Sequence, residues 1–338
     1  MIESISVHKV GNKTQDNTLI ISEFPALVAS EDVPVLEAYF TKYFKSEELF
    51  RFDTSPEVGE NQVMAQVAKI FENPEYAHEA SEQLAQRLFD YSEHPRIKPG
   101  EFYLVYFSSI EYRNEIVQAV GLFKTETHEQ FLKVYPKNEG YTIELHEGIS
   151  TKKIDKGCII YNTDKEDGYR VYVIDKATGG EEAHFWVDGF LQLSQVENNY
   201  FSTDYVMRTC RDFVMQQMPE EFDVTRVDQA DLLNRSIDFF KQQEKFEHDK
   251  FCNQVFGSDE LIESFEGYVQ QCNNDFEVDL KDNFSLDKTA VKKQNRLFKS
   301  VIKLDKDFHI YVHGDRKKIS REEDSKGKYY KIYFDEEK

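Results

Sequence analysis

Histidines and acidic residues are the first candidates for chemistry, because metal sites and acid–base sites depend on them. The stretch "LHEGIS" contains His146 and Glu147 but lacks the second histidine of the HExxH zinc motif, and its alternation predicts a strand. His309 and His313 are four residues apart in another stretch with strand alternation. Strand residues rise about 3.3 Å each, so these two rings would lie about 13 Å apart. The sequence therefore predicts no metal ligands at these histidines.

One acidic stretch resembles part of a nuclease motif. "EVDLK" places Asp279 two residues before Lys281, as in the last part of the motif of metal-dependent nucleases. Such sites need a further acidic residue on a neighbouring strand to hold the metal, whereas this stretch lies between two predicted helices. A metal-dependent nuclease is therefore the less favoured alternative function.

Other catalytic signatures are missing from the sequence. "KATGGEE" has two glycines but neither the lysine of a Walker motif nor GxGxxG spacing, and there is no GxSxG stretch. The cysteines form no CxxC pair and have no context that marks a nucleophile: Cys158, Cys210, Cys252 and Cys272. Reduced, buried thiols are expected, which favours a cytoplasmic protein. The sequence thus predicts no catalytic residues, no cofactor and no enzymatic activity.

Charge is segregated along the chain. The 338 residues carry a formal net charge of −21. Residues 286–338 nevertheless hold 15 Lys and Arg against 10 Asp and Glu, a net charge of +5, which leaves −26 for the rest. Such a protein is not expected to coat nucleic acid over its whole surface, but its basic region indicates a localised anionic partner.

The basic region begins with a predicted helix over residues 286–299. At helical spacing, Lys292, Arg296 and Lys299 share one face, while Leu297 and Phe298 fall on another. We therefore expect this helix to bury one flank and to present a cationic stripe on the other.

A basic β-ribbon follows this helix. In "KYYKIYF", alternation directs Tyr330, Ile332 and Phe334 to the core, and the intervening Tyr329, Lys331 and Tyr333 outwards. Exposed lysines also serve solubility and protect strand edges, which is the alternative interpretation. The predicted phosphate contacts of the helix and ribbon are Lys292, Lys293, Arg296, Lys299, Lys303, Arg316, Lys317, Lys318, Lys328 and Lys331.

The elements that must position these residues form an α+β fold. The pattern predicts a mixed α/β domain with antiparallel strands over residues 1–218, then a helical segment and a C-terminal β-meander over residues 219–338. Apolar runs at 102–107 and 116–123 predict central strands buried on both faces. The N-terminal residues show no signal-peptide pattern, and no apolar run approaches the roughly 20 residues that span a bilayer. Neither secretion nor a membrane partner is predicted.

Several segments follow one another in an order that is informative. They are "GEFYLVYFSSIEYRNEIVQAVGLFKT", "GCIIYNTDKEDGYRVYVID", "AHFWVDGFL" and the closing "FHIYVHGD" and "KYYKIYF". In this order the chain resembles the 37-kDa nucleoid-associated protein family, the NdpA family. The resemblance implies a cytoplasmic bacterial protein associated with the nucleoid, with DNA binding as its activity and no cofactor. It supplies no catalytic residues.

Two further functions are weighed beside the nuclease. The leading hypothesis is a non-enzymatic nucleoid-associated protein that binds double-stranded DNA through its basic C-terminal helix and ribbon, largely independently of sequence, by neutralising phosphates. The alternative is an acidic protein-interaction scaffold without direct DNA contact. In the leading hypothesis, the acidic N-terminal domain faces away from the DNA, towards a protein partner. Homo-oligomerisation, the DNA sequence or shape preference and the cellular process are left open.

Overall fold

The computed structural model of this chain describes residues 1–15, 18–44, 48–54, 60–175, 185–298, 301–312 and 316–336. These residues divide into two compact units, Met1–Val196 and Glu197–Lys338, which we call the N-terminal unit and the C-terminal unit. The sequence placed its boundary later, after residue 218. The helix Asn199–Asp212 accounts for the difference, because it buries Val206, Met207 and Cys210 in the core of the C-terminal unit.

The N-terminal unit is built on a seven-stranded sheet. Its strands and the hairpin beside them are β1 (Ile2–Val10), β2 (Phe50–Phe52), β3 (Gly100–Tyr112), β4 (Glu115–Thr125), β5 (His128–Lys137), β6 (Gly140–Ile149), β7 (Lys156–Tyr161), β8 (Arg170–Asp175) and β9 (Leu193–Gln195). The sheet order is β1-β3-β4-β7-β8-β2-β9, and all of its pairings are antiparallel. Antiparallel strands of this kind were predicted, and the α+β fold class is confirmed.

Helices cover both faces of this sheet. They are α1 (Val33–Thr41), α2 (Gln62–Glu72) and α3 (Ala77–Asp90), with a short π-helix at Phe185–Leu191. On β3, Leu104 lies in the cluster that contains α2 and α3, whereas Val105 lies in the cluster that contains Phe40 of α1. Consecutive side chains of a strand point to opposite faces. The prediction of a central strand buried on both faces is therefore confirmed.

The hairpin β5–β6 stands apart from the large sheet and pairs only within itself in the described residues. Direct cross-strand partners on one face are Leu132 with Leu145 and Val134 with Ile143. All four side chains are exposed, at 55 to 65 % of their full area. We call this surface the apolar arm, and it is unusual because such a face is normally packed against a core.

The C-terminal unit is mainly helical and has short strands. Its elements are α4 (Asn199–Asp212), a π-helix (Phe213–Gln217), α5 (Met218–Glu221), α6 (Arg226–Gln242), β10 (Lys245–Glu247), α7 (His248–Val255), α8 (Asp259–Asp275), β11 (Asn283–Ser285), α9 (Lys288–Gln294), β12 (Val301–Leu304), β13 (Phe308–Tyr311), β14 (Ile319–Asp324) and β15 (Gly327–Ile332). Phenylalanine rings dominate its core, with Phe213 edge-on to both Phe256 and Phe265. The high phenylalanine content of the chain is thus used to fill this core.

The terminal strands pair as two separate two-stranded sheets in the described residues, β12 with β13 and β14 with β15. Both lie near α6 rather than in one continuous meander. No helix within the described ranges is both long and apolar enough to cross a lipid bilayer.

Candidate functional site

The first turns of α6 organise the terminal strands. Thr225 caps this helix through two reciprocal hydrogen bonds. The Thr225 hydroxyl accepts the backbone N–H of Asp228 at 3.3 Å, and the backbone N–H of Thr225 donates to the Asp228 carboxylate at 2.9 Å. Within the first turns of α6, Val227 and Ala230 form a small buried cluster with Ile302 of β12. Apolar contact therefore fixes the strands against the start of α6, although the cluster is much smaller than the main core.

A basic cleft opens above this small cluster. It has a volume of about 620 Å³, and its lining includes four cationic side chains, Arg226, Lys303, Arg321 and Lys328. Asp305 is the one acidic residue among the described lining residues. A smaller cavity of about 300 Å³ shares Arg226 and Lys303 with it. The local charge is therefore +3 in a chain whose net charge is −21.

The register of the β14–β15 ribbon determines which of its cations face the cleft. Arg321 lies opposite Tyr330 and Glu323 lies opposite Lys328, so these side chains share one face of the ribbon. Arg321, Lys328 and Tyr330 all line the cleft. The sequence assigned Tyr330 to a core face, and that face also carries two of the four cations of the cleft.

The opposite face of the ribbon already contains a counter-charge. Glu322 accepts a hydrogen bond from Tyr329 at 2.8 Å and lies 3.9 Å from the Lys331 ammonium. Hydrogen bonds from Tyr329 and Ser320 hold the pKa of Glu322 below its ordinary value, against a smaller effect of desolvation. The predicted outward set of Tyr329, Lys331 and Tyr333 is therefore exposed, but its lysine faces a carboxylate.

Two residues assigned to the core are exposed instead. Ile332 and Phe334 retain 49 % and 69 % of their accessible area, whereas Tyr330 is half-buried against the small cluster beside α6. The expectation for Ile332 and Phe334 was wrong because a two-stranded ribbon packs only where another element covers it. Alternation indicates which residues share a face, but not whether that face is covered.

The predicted basic residues before β14 have internal partners. Arg316 Nε donates to Asp228 Oδ1 at 2.6 Å, and the Lys318 ammonium pairs with Asp335. Burial raises the pKa of Asp228, but hydrogen bonds from Thr225 and the charge of Arg316 outweigh it, so the pKa lies below its ordinary value. Lys317 lies in the same short 3₁₀ turn, Arg316–Lys318. Arg316 is thus tied to the cap of α6 rather than directed at the cleft.

The predicted basic helix is shorter than expected. Its N-cap is Asp287, whose carboxylate accepts the backbone N–H groups of residues 289 and 290, and the helix ends at Gln294. Arg296 lies in the turn that follows, so it does not continue the helical stripe from Lys292. Lys299 lies outside the described residues.

The last turn of this helix packs against α4. Gln294 is buried and donates to the Asp204 carboxylate, while the Lys293 ammonium donates to the Tyr200 hydroxyl at 3.0 Å. Phe298 is buried as expected, whereas Leu297 is 47 % exposed. Lys292 and Lys293 therefore lie on an element packed on α4, while Lys303 and Lys328 line the cleft.

Arg226 and Arg321 were not among the predicted contacts. A signal for Arg321 exists, because the two-residue turn at Ser325 and Lys326 fixes the register and places Arg321 across from Tyr330. Arg226 gives no such signal. It reaches the cleft only through the packing of α6 against strands about 75 residues later in the chain.

The N-terminal unit contains a different arrangement of cations. Lys124 and Lys156 face each other across β4 and β7, and both ammonium groups lie about 5.5 Å from the ring of Phe185. Lys124 is fully buried and donates to Glu126 at 2.9 Å, and Lys156 donates to Asp175 at 2.8 Å. Burial lowers the pKa of Lys124, although Glu126 partly offsets this. The charges of these lysines are balanced inside the protein.

The remaining candidates from the sequence stay apart from both groups. His146 lies on strand β6, 3.0 Å from Glu144, and His309 lies on β13, so the strand assignments are confirmed. His313 lies outside the described residues. Asp279 and Lys281 are exposed in the irregular segment between α8 and β11. Among the described residues, Asp279 belongs to no group of three side chains that could hold a metal ion.

Comparison with known proteins adds the family. No curated protein matches this chain. The family described as Nucleoid-associated protein YejK matches residues 6–338, which is nearly the whole chain and includes both units. This match agrees with the order of segments that indicated a nucleoid-associated protein. The chain therefore belongs to the family of nucleoid-associated protein YejK.

Proposed function

We propose that this chain is a non-enzymatic protein of the bacterial nucleoid that binds double-stranded DNA through its backbone phosphates, with the basic cleft as the main contact. The family match supports the nucleoid role. The observation that carries the DNA contact is the convergence of Lys303, Arg321 and Lys328 on one cleft. Within the described part of the chain, none of these three cations makes an ion pair. A cation that makes no ion pair inside the protein is available to an external anion.

Phosphate binding by these cations releases the counterions condensed on DNA, which drives association without reading sequence. Tyr330 and Phe308 also line the cleft and offer apolar surface beside the cations. The net charge of −21 opposes association with DNA at long range. At physiological salt, however, charges are largely screened beyond about 8 Å. The local charge of the cleft therefore dominates once DNA is in contact.

The test compares two sets of charge reversals on the full chain. One set changes the cleft, Lys303→Glu, Arg321→Glu and Lys328→Glu. The other changes the helical region, Lys292→Glu and Arg296→Glu. At low salt, we expect the cleft set to weaken binding of a random-sequence duplex by about 100-fold, and the helical set to weaken it by about tenfold or less. Fluorescence anisotropy measures the affinity, and circular dichroism checks that both variants remain folded.

Three outcomes decide this proposal. Weak binding confined to the cleft set supports it. Binding that survives in the cleft set but is lost in the helical set would move the interface to the region of α9. If the wild-type protein shows no affinity for duplex DNA at low salt, direct binding is excluded and the scaffold alternative takes its place.

The apolar arm favours a second function, self-association. Between residues 132–136 and 141–145, its apolar face carries Leu132, Val134, Ile143 and Leu145 together with Tyr141, which is 78 % exposed, and it carries no charge. The polar face is internally bonded, with the Tyr135 hydroxyl donating to Glu144 and Glu144 beside His146. A second copy of this chain is the partner that fits this face. Both chains carry a large negative charge and repel each other, but two uncharged faces can meet without adding to that repulsion.

Light scattering after size-exclusion chromatography tests the arm. We expect the wild-type protein to be dimeric and the variant Leu132→Glu with Ile143→Glu to be monomeric. Lys133→Gln with Thr142→Gln changes the opposite face of the same two strands and should remain dimeric. A wild-type protein that is monomeric at micromolar concentration rejects this second function.

A further inference from the structure

Three side chains of different chemistry meet between α7 and α8. His248 and Cys252 are four residues apart on α7 and therefore share one face, and Glu266 reaches the same place from α8. One ligand atom from each lies within 4.8 Å of the others. This is the one group of at least three potential metal ligands found among the described residues.

The two distances from His248 match edges of one metal tetrahedron. Zinc binds imidazole nitrogen at about 2.0–2.1 Å, thiolate sulfur at about 2.3 Å and carboxylate oxygen at about 2.0–2.2 Å, so tetrahedral angles require about 3.5 Å between N and S and about 3.4 Å between N and O. The His248 Nε2 atom lies 3.5 Å from Cys252 Sγ and 3.3 Å from Glu266 Oε1. The third pair, Cys252 Sγ and a Glu266 carboxylate oxygen, lies within 4.8 Å, so one ion could contact all three atoms once the exposed Glu266 side chain moves closer to the sulfur.

Packing holds two of these ligands in place. Cys252 is 1 % exposed in the aromatic core, and the His248 ring lies nearly parallel to Phe265 with 6.4 Å between ring centroids. The His248 backbone N–H also donates to the Asp282 carbonyl at 3.0 Å, which fixes the start of α7. Glu266 has 52 % of its side chain exposed, so the site opens to solvent on that side. This arrangement combines a rigid pair of ligands with an accessible route for an ion.

The donor set selects a class of metal. Thiolate and imidazole are ligands preferred by zinc and similar transition metals, whereas Mg²⁺ and Ca²⁺ prefer sets made of oxygen alone. We propose that His248, Cys252 and Glu266 bind one divalent transition-metal ion, with Zn²⁺ as the best match and a water molecule in the fourth position. Binding replaces the Cys252 S–H bond with a sulfur–metal bond and releases one proton to solvent.

The position of the site indicates what the ion does. Its ligands come from two helices of the C-terminal unit that are joined by the short segment around Gly257. An ion shared by α7 and α8 links these helices and raises the stability of their packing. None of the three ligands lines the basic cleft, so the metal acts on stability and not on the DNA contact.

Cobalt spectroscopy tests the site on the full chain. Protein treated with a chelator and then titrated with CoCl₂ should develop a sulfur-to-cobalt charge-transfer band and the strong visible bands of tetrahedral Co²⁺, saturating at one ion per chain. ZnCl₂ should displace the cobalt and remove the bands, whereas excess MgCl₂ should not. ZnCl₂ should also raise the melting temperature of the metal-free protein.

Variants separate this site from adventitious binding. Cys252→Ser should abolish the charge-transfer band, and the matched control Cys272→Ser, in α8 but outside the group, should retain it. Because Cys252 is buried, its replacement also alters packing. The exposed ligand therefore provides the second test: Glu266→Gln should remain folded and lose at least about tenfold in zinc affinity. The proposal is overturned by absence of the bands in wild type, by their persistence in Cys252→Ser, or by unchanged affinity in Glu266→Gln.

Discussion

One group of cations in each unit illustrates opposite surroundings. In the N-terminal unit, Lys124 is fully buried and donates to Glu126, and Lys156 is buried beside Asp175. In the C-terminal unit, Lys303 and Lys328 are exposed along a cleft. Lys124 and Lys156 are thus used inside the N-terminal unit, whereas Lys303 and Lys328 of the C-terminal unit are presented to solvent.

This difference shows that the partner of a cation, not its place in a basic or acidic stretch, determines its role. A buried ammonium group must be paired, because leaving either charge alone in the interior is strongly unfavourable. An exposed ammonium group contributes little to folding and keeps its charge for an external anion. Stability and DNA affinity should therefore respond separately to changes in the two groups.

The largest effect is expected when a buried lysine is replaced. Lys124→Met leaves the Glu126 carboxylate, 9 % exposed, without its cation and should lower the free energy of unfolding by about 3–5 kcal/mol. The matched change Lys328→Met in the cleft should alter it by less than about 0.5 kcal/mol. Urea unfolding measures both. Equal changes in the free energy of unfolding for the two substitutions would show that burial and pairing do not separate the roles of these lysines.

The sequence predicted much of the fold, but it indicated little about which cations are buried and paired. Nearly continuous apolar runs identified β3 and β4 as central strands, because burial on both faces leaves a direct mark on residue type. Lys124 lies at the end of the second run, and nothing local indicates that it is buried. Its partner Glu126 is close in sequence, but the closed environment depends on Phe185, about 60 residues later.

The sequence named two of the four cations that line the cleft, but it did not predict the cleft itself. Charge segregation pointed to the C-terminal region, and Lys303 and Lys328 were among the predicted contacts. Sequence could not show that Arg316 is neutralised by Asp228, since that pair joins residues 88 positions apart. Likewise, alternation paired Ile332 with Tyr330 correctly, but the absence of a covering layer over Ile332 depends on tertiary structure.

Acid should lower the stability that depends on buried groups of the N-terminal unit more than it changes the exposed cations of the C-terminal unit. His8 in the N-terminal unit accepts the Ser22 N–H at Nδ1, so its Nε2–H donates to Ser81 Oγ at 2.7 Å. Burial and the neighbouring His78 lower the pKa of His8 from 6.5 to about 4. The unfolded chain therefore takes up a proton below pH 6.5 that the folded ring does not, and stability falls as pH drops from about 6.5 to about 4.

We expect this pH-dependent loss to amount to about 2 kcal/mol, allowing for partial screening of the ring. His8→Gln should remove that part of the pH dependence in urea unfolding of the N-terminal unit, while the carboxylate contribution common to both proteins remains. DNA affinity at each pH should be the same for the two proteins, because lysine and arginine stay charged throughout this range. If the free energy of unfolding depends on pH in the same way for wild type and His8→Gln, His8 is not the source of this pH dependence.

Neutral substitutions test whether the exposed cations of the cleft contact DNA. Arg321→Gln with Lys328→Gln removes two cations from the cleft and should weaken duplex binding by about tenfold, lowering the slope of log K against log salt concentration by about 1.8. Lys331→Gln on the opposite face of the ribbon, where Glu322 already faces the lysine, is the matched control and should change the slope by less than about 0.5. Equal slopes for the two variants would place the phosphate contacts elsewhere.

Arg316 provides the smallest and most discriminating test, because it belongs to the basic region by sequence but is paired internally. Its guanidinium bonds to Asp228, the residue that also completes the cap of α6. The pair is half exposed on the arginine side, so Arg316→Gln should lower the free energy of unfolding of the C-terminal unit by only about 0.5 kcal/mol. If pairing decides the role of a cation, this variant should leave the salt dependence of DNA binding unchanged. A slope reduced as much as by Arg321→Gln would show instead that DNA displaces Asp228, and that position in the basic region outweighs the internal partner.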